Sequence, residues 1–220
     1  MKQILVAVAL VMVGFVPGVS QATQYFIDNF DTEPLELNHG TPPQSNFANW
    51  NVVPGSGTVD LIGQGGIYDF LPGNGRYVDL DGSTSDAGIM ASNSLLALPT
   101  GTYDLTFDLA GSQRNDGPPL NELTFGIDLN NNSVLDGIDI IAPTIPLANN
   151  IGFGPRTFTF TLSSPQSARI IFGQNGGDNM GLLLDDVALN SRAVPEPASL
   201  MLLGAGLAGI GIWRRKAAKS

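Results

Sequence analysis

Hydrophobic and polar residues alternate with a period of two in short runs along most of the chain, the pattern of strands that bury one face. The clearest run is residues 103–109, where Tyr103, Leu105, Phe107 and Leu109 fall on one side and Asp104, Thr106 and Asp108 on the other. Shorter runs at 59–61, 77–80, 123–127, 158–162, 168–172 and 182–189 repeat it. Turn formers separate them, as in Pro72-Gly73-Asn74-Gly75, Pro99-Thr100-Gly101 and Asn175-Gly176-Gly177-Asp178-Asn179. No stretch between the two ends sustains a helical stripe. The pattern predicts an all-β body over residues 23–192, two packed sheets forming a jelly-roll β-sandwich with Trp50 in its core.

Both ends depart from this pattern. Lys2 precedes an apolar run from Ile4 to Val16, a break at Pro17, and the small residues Ser20 and Ala22. That order predicts a secretory signal over residues 1–22, cleaved after Ala22. At the other end, residues 193–220 hold Pro195-Glu196-Pro197, a glycine-rich apolar run over 198–213, and the cluster Arg214-Arg215-Lys216. As a helix that run is roughly 24 Å long, enough to span a membrane with Trp213 and the arginines at its interface. The basic cluster turns the body away from the cytoplasm. Pro-Glu-Pro, short apolar helix and arginine cluster in this order resemble the PEP-CTERM sorting signal of Gram-negative bacteria that make extracellular polysaccharide. The resemblance implies an exosortase-type membrane peptidase acting at Pro195-Glu196-Pro197, with Arg214 and Arg215 completing the signal. It also implies a precursor held transiently in the inner membrane, then release to the cell surface or extracellular matrix. A permanent single-span anchor is the alternative.

Charge and composition narrow the chemistry. Residues 23–195 carry nineteen acids against five arginines (Arg76, Arg114, Arg156, Arg169, Arg192) and no lysine, a net charge of −14. Such a surface repels phosphate backbones, which argues against nucleic acid as a partner. The 220 residues include no cysteine and one histidine, which removes thiol chemistry, disulfides and multi-histidine zinc centres. His39, in Leu37-Asn38-His39-Gly40-Thr41-Pro42, lacks a neighbouring nucleophile turn and reads as an exposed loop residue.

The segment Asp128-Leu129-Asn130-Asn131-Asn132-Ser133-Val134-Leu135-Asp136-Gly137-Ile138-Asp139 places side-chain oxygens at Asp128, Asn130, Asn132, Asp136 and Asp139, the spacing of an EF-hand-type or dockerin-like calcium loop. Ser133 stands where such loops carry glycine, and Asp139 where they carry a longer glutamate. An Asn/Asp-rich hairpin is the other reading.

The body as a whole looks like secreted galactose-binding-like domains of the choice-of-anchor exported proteins. The likeness rests on the order Trp50-Asn51-Val52-Val53, residues 57–63, Gly75-Arg76-Tyr77-Val78-Asp79-Leu80-Asp81-Gly82, residues 101–111 and Leu184-Asp185-Asp186-Val187. It implies an association with carbohydrate, and a structural calcium held by Asp31 and Asp185. Tyr68, Phe70 and Phe153 lie on glycine-rich loops where aromatic rings can stack on sugars, although such rings are more often core. A glycan hydrolase would need two placed carboxylates, and no diagnostic motif surrounds the aspartates or the body's glutamates Glu33, Glu36 and Glu122. Three functions follow in order: a non-catalytic carbohydrate-associated binding module, a hydrolase using an aspartate pair, and a structural matrix component.

Overall fold

The computed structural model describes residues 21–40, 47–84, 86–114 and 120–193, together with Gly204, Gly206, Leu207, Gly209 and Ile210. The chain divides into two units, residues 22–192 and residues 1–21 with 193–220. In the second unit the five residues between 204 and 210 are helical, and no helix among the described residues is long and apolar enough to cross a membrane. Most of the expected signal 1–22 and of the expected helix 198–213 lies outside the described residues, as do Pro195, Glu196, Pro197, Arg214 and Arg215.

Residues 22–192 form two seven-stranded sheets. The strands are β1 (Gln24–Asp28), β2 (Glu36–His39), β3 (Trp50–Val52), β4 (Val59–Gly63), β5 (Arg76–Asp79), β6 (Met90–Ser92), β7 (Leu96–Leu98), β8 (Gly101–Ala110), β9 (Leu120–Asp128), β10 (Ile140–Ile141), β11 (Ile145–Ala148), β12 (Gly154–Leu162), β13 (Gln166–Gln174) and β14 (Leu183–Ser191). The first sheet runs β12-β8-β14-β5-β4-β2, with β1 also on β14; the second runs β10-β9-β13-β6-β3, with β11 on β9 and β7 on β13. All the strand pairs are antiparallel. Every alternating run of the sequence coincides with a strand to within one residue, and β8 shows the expected rhythm, with Tyr103, Leu105, Phe107 and Leu109 buried.

The inner faces meet in an aromatic core. Trp50 is fully buried, edge-on to Phe26 at 5.0 Å and to Phe172 at 5.8 Å, and Phe107 is edge-on to Phe172 and Phe125 at 5.0 and 5.1 Å. Such geometry adds about 0.5–1.5 kcal/mol per pair beyond area burial. The indole Nε1 donates to Asp28 Oδ2 at 2.9 Å, and Asp28 also accepts from the backbone of Phe30, so this carboxylate beside the core keeps its donors. A smaller cluster covers the outer face of the first sheet. Ile62, Tyr77, Ala110 and Leu183 are roofed there by Leu37, Phe70, Leu71 and Phe153. This roof explains why β4 is buried along its whole length.

One exposed clamp ties the sheet edge. Asp104 on β8 accepts from Arg192 Nε at 2.7 Å and from Thr159 Oγ1 of β12 at 2.6 Å. The Arg192 hydrogen bond holds its carboxyl below the usual carboxylate range. A depressed folded pKa stabilises above the unfolded value of about 3.9, and the gain is lost as pH falls through the folded pKa. Asp104→Asn should therefore cost up to about 1 kcal/mol at pH 7. Chemical denaturation across pH should show the gap from the unsubstituted protein closing below pH ~4; a gap constant with pH would show the clamp to be inert.

Candidate functional site

The register of β14 builds an acidic centre on the first sheet. Leu183 and Leu184 pair with β5, whereas Val187 to Asn190 pair with β1, so the two strands follow one another along the same edge of β14. Between them β14 bulges, its register against β8 shifting between Asp185 and Ala188, with Asp186 in the left-handed region at φ 49°. Asp185 consequently faces Asp108 across the strands. Burial pushes the Asp185 carboxyl up to about 8, reinforced by the charges of Asp186, Asp31 and Asp108 and opposed by the Asp186 N–H. Burial followed by Asp108 and Asp31 also raises Asp186. The chain thus brings Asp31 and Asp185 together, as the family resemblance implies, and adds Asp108 and Asp186, which the sequence reading missed. Asp31 itself is anchored by the Arg76 N–H at 2.9 Å and the Asn29 side-chain amide at 3.1 Å. The charges acting on Asp185 and Asp186 are all carboxylates, Asp31 and Asp108 among them.

The 128–139 segment forms a compact loop between β9 and β10. Asp128, fully buried, accepts from the backbone N–H groups of Asn130, Asn131 and Ser133. Asp139 accepts from those of Leu129 and Asp136, and Asp136 from the amides of Asn130 and Asn132. Ser133 adopts φ 64°, the left-handed conformation that glycine supplies more readily at that turn. Asp128 Oδ1 and Asp136 Oδ2 each accept two N–H groups, so the loop is closed by its own hydrogen bonds. Leu135 packs over Gly126, and with Val134 it walls a groove of about 370 Å³ on the second sheet, floored by Thr124 and Ile171. Among the described residues no three acidic or histidine side chains alone stand at metal-binding spacing. Carbonyl, amide or water oxygens would have to complete any calcium shell.

A second groove, also about 370 Å³, opens over the roof of the first sheet, between Leu35, Glu36, Leu37 and Gly65 to Tyr68. Tyr68 is 42% exposed and stacks on Phe70 at 5.9 Å; Ile67 beside it is 81% exposed. Phe70 and Phe153 are half-buried and belong to the roof, with Phe153 edge-on to Tyr77 and the Arg114 guanidinium 5.5 Å from the Phe70 ring. Of the three loop aromatics, Tyr68 alone offers substantial surface. Burial pushes the Tyr77 hydroxyl up to about 12, and it donates to Asp69 while accepting from the Leu71 N–H.

His39 corrects the expectation of an exposed loop residue. It closes β2, is 1% exposed and stacks on Phe47 at 4.0 Å, because the roof and the segment leading into β3 enclose that end of the sheet. The one aspartate of β5 is likewise enclosed. Asp79 is 2% exposed, and burial pushes its carboxyl up to about 8 against the pull of Arg114, whose Nη2 donates to it at 3.0 Å. Asp60 opposite it accepts from the Asn38 N–H and the Ser83 hydroxyl.

Comparisons with known proteins agree with this architecture. Residues 193–216 match the PEP-CTERM protein-sorting motif, which marks an exported, surface-sorted protein. No curated protein matches the chain. Among solved structures, the K3 cleaved adhesin domain of Lys-gingipain from Porphyromonas gingivalis superposes with a TM-score of 0.51 at 16% identity, covering 78% of this chain and 100% of that domain. The CBM22-1-GH10 modules of Clostridium thermocellum endo-1,4-beta-D-xylanase 10B, complexed with xylohexaose, give 0.50 at 8% identity, over 77% of this chain and 28% of the xylanase chain. This chain therefore spans less than a third of that enzyme. At such identities the likeness defines the fold alone, a jelly-roll β-sandwich of two sheets.

Proposed function

We propose that this chain is an exported, non-catalytic carbohydrate-binding module, delivered to the cell surface or matrix by exosortase processing of its PEP-CTERM segment and stabilised by calcium. The observation that carries the reading is the Tyr68 groove. A half-exposed ring, backed by Phe70 and set beside apolar walls and the Glu36 carboxylate, combines the stacking surface and polar edge that a sugar ring requires. The xylanase modules of similar fold were solved with a xylo-oligosaccharide, which supports sugar as the ligand class. Calcium is assigned to the Asp31/Asp185 bulge and, as a second place, to the Asp128 loop. The hydrolase reading is disfavoured because the carboxyls with the strongest upward shifts, Asp79 and Asp185, are 2% and 6% exposed and offer no open acid to a substrate.

Affinity electrophoresis of the purified full chain through gels containing soluble polysaccharides tests this. At least one neutral or acidic polysaccharide should retard the unsubstituted protein, and Tyr68→Ala should restore free mobility while its melting midpoint stays within about 2 °C, since a surface change away from the core costs little. Unretarded migration in every gel, or equal retardation of Tyr68→Ala, would count against the reading.

A further inference from the structure

We propose that Asp81 and Asp178 form a separate cation site, taking a hard divalent ion such as calcium between the loop that follows β5 and the loop that precedes β14. Asp81 is 1% exposed, and its carboxylate oxygens have no hydrogen-bond donor beyond the carboxyl of Asp178, which lies against it. Buried acids normally collect donors, and one left without them calls for an ion or water at that place.

The donors around Asp81 are committed elsewhere. Its own N–H donates to Asp79 Oδ1 at 3.1 Å, the Gly82 N–H to the Thr58 carbonyl at 2.9 Å, and the Met180 N–H to Asp178 Oδ1 at 2.9 Å. Ser83 Oγ is held by Asp60, and Arg114 is held by Asp79. The charges that face Asp81 are Asp178 first, then Arg114 and Asp86, so the acids outnumber the one base, and that base is already paired. None of the acids of the β14 bulge is among them, which separates this place from the Asp31/Asp185 centre.

Close backbone packing fixes the geometry. A Cβ on Gly181 would lie 1.9 Å from Asp79 Oδ1 and 2.4 Å from the Asp81 nitrogen, so the loop before β14 can press against this strand end only with glycine there. Two carboxylates from two such loops form the charged half of a calcium shell, the remainder coming from carbonyl oxygens and water, as calcium's need for six to eight oxygens allows. An ion at this point would bind the loop before β14 to the end of β5 and neutralise both acids.

Equilibrium dialysis of the full-length protein against calcium, with the bound metal counted by atomic emission, tests the site. Asp81→Asn should bind one ion fewer per chain than the unsubstituted protein, and in chelator it should melt higher, because a neutral amide replaces an uncompensated charge. Asp178→Asn, at a half-buried position where the Oδ1 acceptor is kept, should weaken the same ion at least tenfold; it carries the test if Asp81→Asn does not fold. Asp185→Asn should remove a different ion, so that its loss adds to that of Asp81→Asn. Unchanged stoichiometry in a folded Asp81→Asn would overturn the proposal. So would an equal rise of its melting midpoint in calcium and in chelator, the result expected if the two acids share a proton instead.

Discussion

Replacement of Trp50 by alanine should lower stability by about 3–5 kcal/mol, the range for emptying a large aromatic site in a packed core. The indole packs on Phe26 of the first sheet, Phe172 of the second and Phe30 in the loop after β1, and supplies a donor to Asp28. Its loss therefore opens a cavity where the sheets meet and weakens the satisfaction of a buried carboxylate. For a body of this size the melting midpoint should fall by about 10 °C or more. Trp50→Phe should fall less, keeping ring volume while losing the Asp28 bond. Thermal unfolding followed by circular dichroism measures both, and a Trp50→Ala midpoint within about 2 °C of the unsubstituted protein would be incompatible with this packing.

Withdrawal of calcium should produce the second large effect. Asp31, Asp108, Asp185 and Asp186 repel one another at the β14 bulge, and no disulfide restrains the chain. An ion that binds the folded state alone adds about 2.7 kcal/mol at 100 times its dissociation constant. That corresponds to a midpoint roughly 5–10 °C higher in calcium than in chelator. Asp185→Asn should behave oppositely in the two buffers, melting higher than the unsubstituted protein in chelator and gaining less from calcium. Asp128→Ala separates the contribution of the 128–139 loop. Identical midpoints of the unsubstituted protein in both buffers would reject calcium as a stabilising ligand.

The long strands were legible because β8, β9, β12, β13 and β14 each run nine or ten residues, enough for period two to stand out. β3, β6, β7 and β10, of two or three residues, are too short to display a period, and their pairing partners define them instead. Asp79, which ends β5, and Asp81 just beyond it were illegible for a different reason. In Tyr77-Val78-Asp79-Leu80-Asp81 the alternation points the aspartates away from the core, which ordinarily means towards water. Here Phe70, Leu71 and Phe153 roof much of that face, so outward is also inward, and the signal available in the sequence was the presence of these apolar residues in glycine-rich loops. The acidic centre was half legible. Asp31 and Asp185 followed from a family likeness, but Asp108 joins them through the strand register and Asp186 through a bulge, and neither can be read from spacing.

Calorimetric titration probes sugar binding at the Tyr68 groove without any intervening step. The full chain would be titrated with an oligosaccharide cut from the polysaccharide that retards it, and Tyr68→Ala run under the same conditions. The unsubstituted protein should bind saturably, and Tyr68→Ala should show a Kd at least tenfold higher, about 1.4 kcal/mol of lost stacking. Equal dissociation constants for the two proteins, or no heat of binding from the unsubstituted chain, would contradict sugar binding at this groove.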